Sequence, residues 1–151
     1  GLGTACVCVP EQGLRERMNR ALNTDEIAEP NAFAVDAAIA AYTRGGEWLD
    51  ALREYLFENK KIVKAFLQNN LPQLSIVPSE ATYLLWLDCS NLEESDSEIL
   101  QKRILDKTGL RLNAGYTYGE CGRPFLRMNI ACPREQVVDG LNRLKEALAD
   151  L

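Results

Sequence analysis

Hydrophobic positions along the chain alternate between short apolar runs and long helical stripes. Residues 4–9 (Thr-Ala-Cys-Val-Cys-Val) form an apolar, β-prone run, the pattern of a strand buried on both faces. Pro10 ends the run and suits the first turn of a helix. Leu14, Met18, Ala21 and Leu22 then recur at helical spacing, which predicts a helix over residues 11–22. Residues 23–30 are a polar connection. Beyond Pro30 an alanine-rich stretch to Tyr42 predicts a helix that neighbouring backbones can approach closely, broken by Arg44-Gly45-Gly46. From Glu47 to Asn70 the residues Leu49, Leu52, Leu56, Val63 and Phe66 step as a helix does, and Trp48, Tyr55, Ile62 and Leu67 widen the stripe. At ~1.5 Å per residue this helix is roughly 35 Å long, enough to run from one domain into another.

After Leu71-Pro72 the pattern changes. Residues 74–77 and 82–88 read as strands, with a turn at Pro78-Ser79-Glu80. Ser95 and Glu98 fit a capping box, with Ser95 as N-cap of a helix that ends at Gly109. Residues 110–112 and 125–131 read as further strands, and Pro133 opens a last helix with Val137, Leu141, Leu144, Leu148 and Leu151 on one stripe. The second half is therefore an α+β layer with helices on one face of a mostly antiparallel sheet. The first half is helices with one buried strand, an α/β remnant. The pattern alone puts the division inside the long helix, near residues 60–70.

Composition narrows the chemistry. A chain of 151 residues with 46% hydrophobic and 26% charged residues is ordinary globular material. Its net charge of −5 argues against sequence-independent nucleic-acid binding. No apolar run approaches the ~20 residues of a membrane span. Histidine is absent, which removes His-dependent nucleophile systems and His-ligated metal sites. Cys6, Cys8, Cys89, Cys121 and Cys132 are odd in number and scattered, as expected of reduced thiols in the cytoplasm. A metal or redox role for the Cys6-x-Cys8 pair is the sharper alternative. The lysines are Lys60, Lys61, Lys64, Lys102, Lys107 and Lys145, and all read as helical and solvated. The acidic run 93–98 reads as a helix start favoured by the helix dipole. Trp48 and Trp86 read as core or interface anchors.

The most informative strand is 125–131 (Phe-Leu-Arg-Met-Asn-Ile-Ala). Period-two alternation puts Leu126, Met128 and Ile130 on one face and Phe125, Arg127 and Asn129 on the other. A planar guanidinium in the middle of a rigid strand is suited to a carboxylate or a phosphate. The plainer alternatives are a solvated sheet face or an internal ion pair. The preceding segment, residues 113–124, carries Gly115, Gly119 and Gly122 with Tyr116 and Tyr118. It is too long for a tight hairpin and matches no phosphate-binding fingerprint.

Taken together, several segments resemble the C-terminal part of a fold-type I pyridoxal-phosphate enzyme of the cystathionine β-lyase (carbon–sulfur lyase) and class I/II aminotransferase family. They are Gly1-Leu2, Arg15-Glu16-Arg17, Asn31-Ala32-Phe33, Gly46-Glu47-Trp48-Leu49, residues 82–88, Asn113-Ala-Gly-x-x-Tyr-Gly119, Gly122 and residues 125–133. The last two segments are the most specific.

The resemblance implies that Arg127 grips the α-carboxylate of an amino-acid substrate, in a cleft shared with Asn129, Tyr116 and Tyr118. It implies that residues 1–55 belong to a large cofactor-binding domain and the start of a linking helix, and residues 56–151 to a small α+β domain. Pyridoxal 5'-phosphate is the expected cofactor of the intact parent. None is expected bound covalently to this chain, because the family's Schiff-base lysine precedes the position matching Gly1-Leu2. The chain is therefore expected to be a C-terminal fragment that is inactive alone, to form a homodimer or self-associate, and to meet neither nucleic acid nor membrane. Lyase and aminotransferase chemistry remain open, since the deciding groups surround that lysine. Ala114 stands where many relatives carry proline. The rival from another class is a stand-alone, non-enzymatic α+β module binding a small carboxylate or a protein partner.

Overall fold

The computed structural model describes residues 2–26 and 29–149. The elements in chain order are α1 (Gln12–Thr24), α2 (Ala34–Arg44), α3 (Gly46–Asn70), β1 (Ser75–Ile76), β2 (Leu84–Asp88), α4 (Ser97–Thr108), β3 (Asn113–Ala114), β4 (Phe125–Asn129) and α5 (Arg134–Ala147). Two 3-10 turns, Gly115–Tyr118 and Glu120–Gly122, lie between β3 and β4. The chain divides into two compact units, Gly1–Ala51 and Leu52–Leu151, with the division inside α3.

The second unit is built on an antiparallel sheet of order β1-β2-β4-β3. One sheet face contributes Leu85, Leu87, Leu126 and Met128 to a hydrophobic cluster. Val63 and Leu67 of α3, Leu100 and Ile104 of α4, and Val137, Leu141 and Leu144 of α5 complete it. The α3 and α5 positions belong to the stripes set out by the sequence periodicity. Asn59 of α3 is fully buried beside this core, and its Nδ2 donates to the carbonyls of Ile130 (3.0 Å) and Cys132 (3.2 Å) just beyond β4. One turn earlier, Tyr55 accepts from the backbone N–H of Arg134 at 2.8 Å. α3 thus fixes the exit of the strand that carries Arg127.

Several boundaries differ from the sequence reading, each for a local reason. β2 begins at Leu84 because Thr82 takes a left-handed φ of 70°, with its hydroxyl accepting from the Leu84 N–H. The N-cap of α4 is Asp96 rather than Ser95. Its carboxylate accepts from the Glu98 N–H and also pairs with Arg123, a combination no serine hydroxyl could supply. The expected strand 110–112 is displaced to Asn113–Ala114, the residues that lie opposite Arg127 and Leu126 of β4. Leu151, the last residue of the α5 stripe, lies outside the described residues.

The first unit holds α1, α2 and the start of α3. Glu11 caps α1 by accepting from the Gly13 and Leu14 N–H groups, and Arg15 donates to the Val9 carbonyl at 2.8 Å. The strand expected at residues 4–9 is not formed: the segment is irregular, and Cys6, Val7 and Cys8 are exposed. A β-prone run becomes a strand only where another strand offers its backbone groups. The described residues of this unit contain no strand.

Candidate functional site

The sheet face opposite the core is where the chemistry gathers. β2 and β4 pair with Leu84 opposite Asn129, Trp86 opposite Arg127, and Asp88 opposite Phe125. Strand alternation sends Leu85, Leu87, Leu126 and Met128 inward, so these three pairs all face outward. β3 brings Asn113 directly opposite Arg127 on the other side. Arg127 therefore sits mid-sheet, flanked by Trp86 and Asn113.

Its guanidinium is held in two ways. Nη2 donates to Asn113 Oδ1 at 3.3 Å. The Tyr118 ring stacks with its centroid 4.8 Å from Cζ. Trp86 meets Tyr118 edge-on at 5.3 Å and Phe125 edge-on at 6.2 Å, so the aromatic wall is itself packed. Nε is buried and has no hydrogen-bond partner. A guanidinium has five N–H donors, and among the described residues Asn113 is the one acceptor. No carboxylate pairs with Arg127 among the described residues, so the internal ion pair is not formed.

The other residues expected at this site lie as follows. Asn129 shares the strand face two residues on, and its Oδ1 accepts from the Ala131 N–H at 2.7 Å. Tyr118 is the loop tyrosine brought to Arg127. Tyr116 takes part through its backbone, whose N–H donates to Ser97 Oγ at 3.2 Å. Asn113 and Trp86 are the residues that sequence reasoning missed. The parity of β2 could have found Trp86, since Leu85 and Leu87 had to point inward.

A charged cluster borders the site. Arg123 donates through Nε and Nη2 to both carboxylate oxygens of Glu120, each at 3.0 Å, and through Nη1 to Asp96 Oδ2 at 2.7 Å. The Glu98 N–H and then the Arg123 guanidinium hold the Asp96 carboxyl below its ordinary value, and Arg123 does the same to Glu120. Elsewhere burial, aided by Asp88, pushes the Cys89 thiol up to about 12. All five cysteines are unpaired, and no group of acidic or thiol side chains among the described residues could hold a metal ion. No described helix is long and apolar enough to cross a membrane.

An antiparallel sheet with helices packed on one face is shared with solved fold-type I pyridoxal-phosphate enzymes. Residues 5–144 match the aminotransferase class I and II family, and the chain belongs to it. Cystathionine beta-lyase PatB of Bacillus subtilis (strain 168) is 39% identical over 149 residues, which is 99% of this chain and 38% of that protein. Protein MalY of Escherichia coli (strain K12) is 39% identical over 124 residues, 82% of this chain and 32% of its own. Among solved structures, cystalysin from Treponema denticola, which contains a pyridoxal 5'-phosphate cofactor, superposes with a TM-score of 0.86 at 28% identity, covering 94% of this chain and 36% of its own. The chain thus spans about a third of the length of these relatives.

The residues present can be tested against that cofactor. Lys60, Lys61 and Lys64 lie on α3, Lys102 and Lys107 on α4, and Lys145 on α5. Lys60 is held by Ser79, Lys61 by Glu58 and Lys145 by Asn70. None is among the groups around Arg127. The groups around Arg127 are guanidinium, amide and aromatic, and no lysine amine is among them.

Proposed function

We propose that this chain is the substrate-carboxylate portion of a pyridoxal-phosphate enzyme acting on amino acids, by carbon–sulfur β-elimination or by amino-group transfer. Arg127 grips the α-carboxylate, Asn113 and Tyr118 fix the plane of its guanidinium, and Asn129 borders the same face. Tyr116 contributes from the neighbouring turn. The covalent seat of the cofactor is not one of this chain's lysines, and the chain by itself does not turn over. It works in association with a second copy and in the cytoplasm, a reading favoured by exposed apolar residues on α2 and by five unpaired cysteines.

The observation that carries this reading is the unsatisfied guanidinium. A buried N–H with no partner costs about 1–3 kcal/mol, and a bound carboxylate offsets that cost with two parallel charge-assisted hydrogen bonds.

The test is Arg127→Lys in the cofactor-loaded enzyme that contains this chain. Lysine keeps the charge and loses the planar fork. Loss of about 1.5–3 kcal/mol of charge-assisted hydrogen bonding should weaken amino-acid binding roughly ten- to a hundred-fold. Cofactor binding and melting temperature should stay nearly unchanged. An unchanged Michaelis constant with a lowered melting temperature would make Arg127 a structural brace and overturn the assignment.

A further inference from the structure

We infer that Arg123 is a positioning residue for Arg127, acting through the loop that holds Tyr118. The inference rests on the carboxylate-grip reading of Arg127 and adds what keeps that grip in shape.

In the segment between β3 and β4, Tyr116, Thr117, Tyr118, Gly119, Glu120 and Cys121 are all exposed, and the edge contact of Tyr118 with Trp86 is its aromatic anchor. Polar ties to the start of α4 add to that contact and to the segment's own turns. Tyr116 N–H donates to Ser97 Oγ at 3.2 Å, and Ser97 N–H donates to the Arg123 carbonyl at 2.9 Å. Arg123 then binds Glu120 with both edges of a fork and Asp96 with its remaining amine. A bidentate pair fixes orientation as well as distance. Glu120 is thereby held against Arg123, two positions before β4, and Tyr118, two residues before Glu120, is set over the Arg127 guanidinium.

Without these ties Tyr118 would be held over Arg127 by its edge contact with Trp86 and by the loop's own turn hydrogen bonds alone, and its ring would be less closely fixed. The guanidinium plane would loosen with it and would sample orientations that present one N–H, not two, to a carboxylate. Arg123 touches neither the core nor Arg127. Its side chain is half-buried and its Glu120 partner is exposed, so that pair adds little to stability. Its effect is on geometry at a distance.

The experiment uses the full 151-residue chain, labelled with nitrogen-15, and reads the Arg127 Nε–H resonance. That N–H is buried and unpartnered, so it exchanges slowly, and Tyr118 and Trp86 shift it by their ring currents. L-alanine is the probe for an amino-acid carboxylate. In the parent chain the resonance moves as L-alanine is added. In Arg123→Gln the resonance of the free chain moves toward the position seen in Tyr118→Leu, and L-alanine affinity falls about three- to tenfold, the size of coupling carried through a neighbouring element. The melting temperature changes little, and Arg123→Lys recovers part of the shift. Glu120→Gln, which keeps the Asp96 tie to the helix, gives a smaller displacement in the same direction and serves if Arg123→Gln does not fold. An Arg123→Gln resonance and affinity equal to the parent's would overturn the inference. A parent resonance that ignores L-alanine would instead overturn the carboxylate reading, while the free-chain displacement still decides whether Arg123 positions Tyr118.

Discussion

In Leu52–Leu151 the hydrophobic side chains from Val63 to Leu148 close into one cluster, many of them fully buried. In Gly1–Ala51 the only buried residue among those described is Ala34. The two regions draw on the same kinds of residue, and α1 and α2 are as amphipathic as the helices of the second unit. The difference is a sheet. The second unit offers a flat apolar face on which three helices lay their stripes, whereas the first has helices alone, held by caps and local hydrogen bonds. A sequence stripe therefore states which face of a helix wants burial, and only a partner surface decides whether it is buried.

The sharpest way to break this comparison is to delete matched leucines. Leu85→Ala in β2 should cost about 2–5 kcal/mol by opening a cavity in a closed core. Leu14→Ala on α1 should change stability by less than about 0.5 kcal/mol, as at an exposed position. Urea unfolding of both variants checks it, and equal losses would mean that the first unit has a core after all.

A smaller effect is expected in association. On α2, Val35 (52% exposed), Ile39 (56%) and Tyr42 (79%) project from one side, with Phe33 (74%) just before the helix. Contiguous exposed apolar surface drives association. Burying each aliphatic side chain is worth about 1.5–3 kcal/mol, so Val35→Glu with Ile39→Glu should weaken self-association by well over tenfold. Sedimentation velocity at micromolar concentrations measures it. A parent chain that stays monomeric throughout would show that α2 needs no cover.

The smallest effect belongs to the Arg123 cluster and depends on pH. Asp96 and Glu120 have folded values below their ordinary ones, so protonation favours the unfolded chain. Their contribution is complete above the ordinary carboxylate range of about 4 and is lost as pH falls through the depressed folded values. The gap in melting temperature between the parent and Arg123→Gln should be modest and constant near neutral pH and should close in acid. A gap that persists in acid would mean that Arg123 acts through packing instead.

Periodicity made the helices and the facing of β4 legible. Leu126, Met128 and Ile130 leave Arg127 no inward option. The strand at residues 4–9 was misread because its composition says nothing about whether another strand is present to pair with it. Ser95 and Asp96 are both good N-caps, and the choice fell to Asp96 because Arg123, distant in sequence, also needed a carboxylate. Strand parity could turn Trp86 outward, but setting it and Asn113 beside Arg127 needed information of the same long-range kind. Their place beside Arg127 comes from the register between strands, which is fixed by long-range pairing and leaves no mark in local spacing.

Gly115 and Gly122 meet back to back: a side-chain carbon added to either would run into the carbonyl oxygen of the other. Because each obstruction is backbone, no change in a neighbouring side chain can make room. Two separate mutations that would each be neutral on an open loop are therefore both closed routes, and a compensating pair does not exist. The same contact measures out the segment between them. An insertion or deletion there would pull the two glycines out of apposition, so the length of this loop is fixed independently of which side chains it carries.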